Sequence, residues 1–204
     1  MIRPVWSWFR ILLLGFVAAA VGCAGSPHSK FYTLSPLATT AEVKTSKSIP
    51  GRELAIGVGP VRLPQYLMRK EIVTRTEENR IDLAEFDLWG GTLQDDFLRS
   101  LLENLNLLLA DDRVSLFPWP GTGTVDHRVG VEVSRFDGNL GGDVVLIATW
   151  TIREGRGNKV VRIRTSRIQE PAGAKSYEGM VAGMSRALAR LSREISEEIK
   201  TLPR

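Results

Sequence analysis

The 204-residue sequence contains a single cysteine, Cys23, and only two histidines, His28 and His127. One cysteine leaves no intramolecular disulfide available, so a hydrophobic core must hold the fold together. Neither histidine has a second histidine or a cysteine near it in the sequence, which leaves little from which to build a metal site. We expect both histidines to be solvated or to cap an element. The sequence therefore predicts neither a metal nor a bound cofactor.

The sequence also lacks an apolar run long enough to span a bilayer in the mature protein. Residues 11–21, ILLLGFVAAAV, are eleven apolar or small residues, whereas a transmembrane helix needs roughly 20. Arg3 and Arg10 precede this run without any acidic residue. A positive segment followed by a short apolar run is typical of a signal peptide. We therefore predict a signal peptide over residues 1–22 and no mature transmembrane anchor.

The excess of positive charge is small. The chain has 27 basic and 23 acidic residues, a formal charge of +4. Removal of Arg3 and Arg10 with the signal peptide leaves 25 basic and 23 acidic residues, a charge of +2. No basic run with interleaved aromatic residues is present. These features exclude a typical nucleic-acid-binding protein.

The usual signatures of catalytic nucleophiles are missing. There is no G-x-S-x-G motif. The acidic pair Asp95 and Asp96 falls in the first turn of a predicted helix, where the helix dipole favours acids. The GVG at residues 57–59 is a fragment of a phosphate-loop pattern, but it lies in a predicted strand and is followed by Pro60 rather than by a helix. The sequence therefore predicts no catalytic residues and a protein that is not an enzyme.

Cys23 directly follows the short apolar run. Residues 20–23, AVGC, resemble the lipobox of bacterial lipoproteins, in which the cysteine thiol receives a diacylglycerol before cleavage at its amino side. The alternative is ordinary cleavage at an A-x-A site, residues 18–20, which would leave an idle thiol. An isolated exported thiol is unusual, so we predict Cys23 as the lipid-attachment site. Ala24, rather than an aspartate, follows it and predicts export to the outer membrane.

The mature chain is long enough for one domain. We predict a lipidated N-terminus over residues 23–52, which contains a polar tether, a short FYTL strand at residues 31–34 and a flexible linker. Residues 53–204 are predicted to form one periplasmic α/β domain. Strands are expected in ELAIGVGPVRL, EIVTR, RIDLA, RVGVEVSRF, DVVLIATWTIRE and KVVRIRTSRI, with Pro60 at an edge or bulge position.

Two amphipathic helices are also expected. Leucines repeat at helical spacing from Leu93 onward, behind Thr92 as a capping residue, and a second stripe runs from Tyr177 to Ile199. The strand DVVLIATWTIRE is apolar on both faces, so it should be central and covered on both sides. The predicted fold is therefore a mixed β-sheet flanked by helices on both faces, a three-layer α/β/α sandwich.

Several short motifs after the lipobox occur in a characteristic order. FYTL comes first, and it is followed by Val61, Leu63-Pro64, Tyr66-Leu67, Ile72-Val73, Asn79, Trp89 and Leu93 with the leucine-rich helix. Through these motifs residues 58–114 resemble the ABC-type transport auxiliary lipoproteins, and FYTL looks like the opening of that family. One residue and one short segment depart from the family pattern: Met68 stands where an acid is frequent, and residues 90–92, GGT, replace a stretch with an acid and often a proline.

The resemblance implies a non-enzymatic periplasmic lipoprotein anchored in the outer membrane. Its partners would be an MCE-type protein and an inner-membrane transporter that together move lipid between the membranes, and the resemblance allows a homo-oligomeric ring. An accessory lipoprotein for outer-membrane assembly or secretion would share the lipobox and the α/β body and is the alternative. A lipid-modified enzyme is disfavoured because no nucleophile and base are visible.

The segment LPQYLM, residues 63–68, is a candidate partner-binding loop. Proline fixes the backbone, so the loop can present Tyr66 and Leu67 at little entropic cost. We predict Pro64, Tyr66, Leu67 and Trp89 as partner-binding residues. Core packing of Tyr66, Leu67 and Trp89 is the alternative, because aromatic and apolar side chains serve both roles.

Overall fold

The computed structural model describes residues 28–37, 53–118, 124–156 and 159–203. These residues form one eight-stranded sheet, two α-helices and one short 3-10 helix at Gln65–Leu67. The strands are β1 (Lys30–Tyr32), β2 (Ala55–Arg62), β3 (Glu71–Glu77), β4 (Arg80–Trp89), β5 (Arg113–Leu116), β6 (His127–Gly138), β7 (Asp143–Glu154) and β8 (Val160–Pro171), and the helices are α1 (Leu93–Leu108) and α2 (Tyr177–Lys200).

Strand β6 is the centre of the sheet. One of its edges pairs antiparallel with β7 over nearly its whole length. Its other edge is divided, because the first half pairs parallel with β2 while the end meets β3 at Gly138. Strand β5 continues the sheet beyond β2, strands β4 and β1 continue it beyond β3, and β8 continues it beyond β7. The sheet therefore forks on one side of β6.

The predicted strands are confirmed, and β7 coincides with the predicted segment. Pro60 lies at a register shift between Val58 and Val61, which confirms its bulge position. The FYTL segment contributes edge strand β1, which pairs parallel with β4. Strand β5 was not predicted, because its four residues, RVSL, are too few to show an alternating pattern.

Both predicted helices are confirmed, and a side-chain hydroxyl caps the N-terminus of each. The Asp95 amide donates to the Thr92 hydroxyl at 3.1 Å, and the Gly179 amide donates to the Ser176 hydroxyl at 3.1 Å. Such caps satisfy backbone donors that have no partner within the helix. No helix among the described residues is long and apolar enough to cross a bilayer.

Helix α1 packs on the sheet through its apolar stripe. The Phe97 ring meets the Phe136 ring of β6 edge to face, with centroids 5.4 Å apart. Phe136 is in register with Leu146 of β7, and residues in register share a face of the sheet. Helix α1 therefore covers the face on which Leu146 lies.

Helix α2 covers the same face. The Ser166 hydroxyl of β8 donates to Glu194 of α2, and Ser166 is in register with Ala148 of β7. Ala148 and Leu146 are two residues apart on one strand and so point to the same side. The helices also contact each other directly, because the buried Asn104 side chain donates to the Ser192 hydroxyl at 3.0 Å.

The single mixed α/β domain is confirmed, but the described α-helices form one layer rather than the predicted two. The prediction relied on Val145 and Ile147, which lie on the other face of β7 and are only half-buried. Arg135 and Arg167 flank Ile147 in register on the neighbouring strands. The aliphatic stems of arginines can cover apolar surface, so these positions need no helix above them.

The segment after β1 attaches the start of the described chain to both helices. Leu34 is 1% exposed, and its amide donates to the Asp96 carboxylate of α1. The Ser35 amide donates to the Ser185 hydroxyl of α2 at 3.0 Å. Residues 30–37 are therefore packed against the body, although they fall within the predicted tether-and-linker region 23–52.

We expect Leu188→Asp to destabilise the protein by several kcal/mol, because Leu188 is fully buried in α2 and an aspartate there would carry an unpaired charge. A domain stabilised by about 5 to 15 kcal/mol would be close to unfolding. Ala182→Asp introduces the same charge at an exposed position of the same helix and is the control. Thermal unfolding measures both, and an unchanged melting temperature for Leu188→Asp would show that α2 is not docked.

Candidate partner-binding surface

The structure brings the loop of residues 63–70 and the end of β4 together. The Trp89 amide donates to the Lys70 carbonyl at 2.7 Å, which joins the end of the loop to the end of the strand. Pro64, Tyr66, Leu67 and Trp89 therefore lie in one region of the molecule. Cys23 lies outside the described residues, and its role in lipid attachment stays a prediction.

A single 3-10 turn divides the loop into an inner and an outer side. The Leu67 amide donates to the Pro64 carbonyl at 3.0 Å, which closes the turn. Leu67 points into the core and is 3% exposed, whereas Met68 is 48% exposed. Trp89 is also in the core, at 5% exposed. For Leu67 and Trp89 the structure supports the packing alternative, and their contact with a partner stays a prediction.

Asp137 of β6 holds the loop from the inner side. Its carboxylate is fully buried and accepts from the Tyr66 hydroxyl at 2.7 Å. It also accepts from Arg75 Nη2 of β3 at 2.9 Å and from Arg135 Nε at 2.9 Å. The Arg75 guanidinium lies 5.9 Å from the centre of the Tyr66 ring. Tyr66 is therefore half-buried and fixes the loop, and its role as a partner contact stays a prediction.

These contacts lower the pKa of the Asp137 carboxyl and raise the pKa of the Tyr66 hydroxyl. Burial by itself raises the pKa of Asp137, but hydrogen bonds from Arg75, Tyr66 and Arg135 outweigh it and hold that pKa below its usual value. Burial and the hydrogen bond to Asp137 raise the pKa of the Tyr66 hydroxyl to about 12. Asp137 is thus a charged acceptor and Tyr66 a neutral donor throughout the physiological pH range.

We expect Asp137→Asn to lower the free energy of unfolding at pH 7 by about 3 kcal/mol, because it leaves the partly buried guanidinium groups of Arg75 and Arg135 without their counter-charge. The lowered pKa of Asp137 means that its charge stabilises the fold above the unfolded-state pKa, near 3.9. This stabilisation is lost as the pH falls through the lower, folded-state pKa.

Urea unfolding of wild type and Asp137→Asn at pH 7 and at pH 3 or below measures the effect. The difference between the two proteins should shrink at acid pH. Asp82→Asn, which removes an exposed partner of Arg80, is the control and should change stability little. A difference that stays constant across the pH range would show that the Asp137 charge does not stabilise the fold.

The outer side of the loop borders an apolar depression of about 440 Å³. Phe31 of β1 and Met68 of the loop stand at its margin, 68% and 48% exposed. Strand β1 is placed there by pairing with β4, and the Gly90 amide donates to the Tyr32 carbonyl at 2.8 Å. The residues lining the depression are Phe31, Met68, Arg69, Lys70, Trp89, Gly90, Gly91, Thr92 and Leu93.

The charged residues that line this depression are basic. They are Arg69 and Lys70, and both are exposed. An exposed apolar centre with a charged margin is the usual anatomy of a protein interface. Sequence reasoning missed Phe31 and Met68, although strand alternation in FYTL places Phe31 and Tyr32 on opposite sides and so could have indicated one exposed aromatic residue.

Comparison with known proteins supports a relationship over nearly the whole chain. The family model described as the ABC-type transport auxiliary lipoprotein component matches residues 32–196. The chain is 26% identical over 183 residues to the intermembrane transport lipoprotein PqiC of Escherichia coli K12, a match that covers 89% of this chain and 92% of that protein. PqiC of Shigella flexneri matches with the same identity and coverage.

Two crystal structures share the fold. An uncharacterised protein has a TM-score of 0.70 at 21% identity, over 85% of this chain and 99% of its own. A protein from Xanthomonas campestris has a TM-score of 0.68 at 14% identity, over 84% of this chain and 94% of its own. The matching family is one of transport auxiliary components and not a catalytic family. This chain belongs to the family of ABC-type transport auxiliary lipoprotein components.

Proposed function

We propose that this protein is acylated at Cys23, anchored in the outer membrane on its periplasmic face, and acts in an MCE/ABC-type system that transports lipid between the membranes. It binds the MCE-type partner of the inner-membrane transporter and catalyses no reaction. The observation that carries the proposal is the apolar depression between Phe31 and Met68, because large exposed apolar side chains grouped on a surface mark interaction sites.

The position of this depression in the chain suits a membrane-anchored protein. Only six residues separate Cys23 from Lys30, the first residue of β1. Extended chain spans at most about 3.6 Å per residue, so Lys30 lies within about 25 Å of the acylated cysteine. Because Phe31 is the next residue, the depression is tied to the part of the body nearest the anchor. A homo-oligomeric ring, if formed, would present several such depressions to one partner.

The charge of the depression favours a protein partner with acidic groups at its contact surface. Arg69 and Lys70 line the apolar centre and would steer such a partner towards it. The relative PqiC is named as an intermembrane transport lipoprotein. This agrees with an MCE-type protein reaching the lipoprotein from the inner membrane.

We expect Phe31→Ala to weaken binding to the MCE-type partner by about 1 to 2 kcal/mol, roughly 5- to 30-fold, as the loss of an aromatic interface residue does. Met68→Ala should act in the same direction. Because both side chains are exposed, melting temperatures should stay near that of wild type. Ile163→Ala is the control, since Ile163 is 58% exposed on β8, outside the depression.

Affinity measurement on the purified proteins tests this surface. Equal affinities for wild type and Phe31→Ala would remove the depression from the interface. The absence of any binding between the wild-type protein and the MCE-type partner would overturn the proposed function. Co-purification with outer-membrane assembly or secretion machinery instead would support the alternative accessory role.

Cys23→Ser is expected to release the protein from the membrane or to stall its processing, since stable anchoring needs more than one acyl chain and each buried methylene contributes about 0.8 kcal/mol. Membrane fractionation after a salt wash and intact-mass analysis measure this. The wild-type protein should begin at Cys23, which should carry two or three acyl chains, and it should fractionate with the outer membrane. A mature protein beginning at Val21 with a free thiol would contradict lipidation, and recovery in the inner membrane would contradict the location.

A further inference from the structure

The face of the sheet opposite the two described helices carries a cavity rich in arginine. Strands β2, β6 and β7 and the residue after β5 enclose about 310 Å³, at the small end of the range for ligand pockets. Residues in register on β6 and β7 point into the same side of the sheet. The polar residues that line the cavity are Arg62, Arg128, Glu132, Thr149, Thr151 and Arg153.

The pairing of β6 with β7 places two arginines directly opposite each other. Arg128 and Arg153 are cross-strand partners, and like charges in that position repel. Arg62 extends the positive charge from β2, in register with Glu132. Among the described residues neither Arg62 nor Arg128 forms an ion pair. Because Arg62 and Arg128 have no ion-pair partner among these residues, the lining keeps an excess of positive charge beside its one glutamate, Glu132.

The Arg128 side chain is held in place, but one of its hydrogen-bond donors has no acceptor among the described residues. Its guanidinium stacks over the Phe117 ring at 4.9 Å, and its Nη2 donates to the Gly155 carbonyl at 2.7 Å. Its Nε is buried, and no atom of the described residues accepts a hydrogen bond from it. A buried donor without an acceptor is unfavourable, so the protein alone does not satisfy every donor of the Arg128 guanidinium.

Glycines open the space for the cavity. A Cβ at Gly57 would lie 2.9 Å from the Phe117 Cβ, and a Cβ at Gly59 would lie 2.3 Å from the Phe117 carbonyl. Gly59 also has φ of +128°, a conformation that favours glycine. A Cβ at Gly130 would meet only the Pro60 carbonyl, at 3.8 Å. Gly57 and Gly59 thus let Phe117 pack against β2 and line one side of the cavity. Gly130 adds no side chain that would fill it.

We propose that this cavity binds the phosphate of a phospholipid headgroup. Guanidinium groups bind phosphate oxygens through paired, charge-assisted hydrogen bonds, and the Thr151 hydroxyl offers another donor. The small volume accommodates a headgroup and leaves the acyl chains outside. The choice of a lipid as the source of the phosphate rests on the proposed function, whereas the anion site rests on the geometry alone.

The test uses the full-length acylated protein in detergent and measures binding of dihexanoyl phosphatidylglycerol by native mass spectrometry. Dihexanoylglycerol, with the same acyl chains and no phosphate, should not bind. Arg62→Gln should weaken binding of the phospholipid roughly tenfold or more, because it removes a charge-assisted hydrogen bond. Arg167→Gln is the matched control, since Arg167 is exposed on the same face of the sheet but does not line the cavity.

A second variant fills the cavity without changing its charge. Gly130→Val has room for its Cβ and a side chain suited to a strand, so it should abolish binding while the melting temperature stays close to wild type. If Arg62→Gln and Arg167→Gln lost phospholipid affinity equally, the site would be overturned. Equal binding of dihexanoyl phosphatidylglycerol and dihexanoylglycerol would overturn it as well. Binding of inorganic phosphate alone, or of a polyglutamate peptide alone, would overturn the phospholipid assignment.

The MCE-type partner is absent from all of these lipid-binding experiments. A failure of partner binding by the wild-type protein would overturn the proposed function and leave the phosphate result unaffected. Conversely, absence of phospholipid binding would overturn this site while binding to the partner through Phe31 and Met68 persisted. The two proposals can therefore fail separately.

Discussion

The hydrogen bonds along the two edges of β6 determine the arrangement of the whole sheet. Its twelve residues pair with β7 on one side, but on the other side β2 and β3 each occupy only a part. A register shift near Ser134 lies between these two parts. The connection from β2 to β3 must cross this fork, and it does so over the buried carboxylate of Asp137. That charge is stable there only because three donors from separate elements surround it.

The secondary structure could be predicted from local pattern, because alternation and helical spacing are properties of neighbouring residues. The placement of layers could not. Val145 and Ile147 have the apolar character of core residues, yet they lie half-buried on the face of the sheet opposite the described helices. Their burial depends on strand order and register, which no local pattern contains.

The candidate sites show the same division between local and long-range information. The LPQYLM loop was located correctly in sequence, but the direction of the Tyr66 side chain depends on Asp137, which lies more than sixty residues away. Phe31 and Met68 meet only because β1 pairs with β4. The arginine cavity draws on three strands and was invisible in the sequence, where Gly57 and Gly59 suggested only an incomplete phosphate loop. Met68 and residues 90–92, the departures from the family pattern, all border the apolar depression.

The attachment of residues 30–37 also has a mechanical consequence. Strand β1 lies parallel to β4 in register over three residues, and the residues that follow are bonded to α1 and α2. A pull along the axis of β1 therefore loads several hydrogen bonds in shear at the same time, whereas a pull across it would break them one after another. Tension along this strand at the amino end is consequently shared between the sheet and both helices. A pull on the N-terminal end of β1 is therefore resisted by the sheet and both helices together.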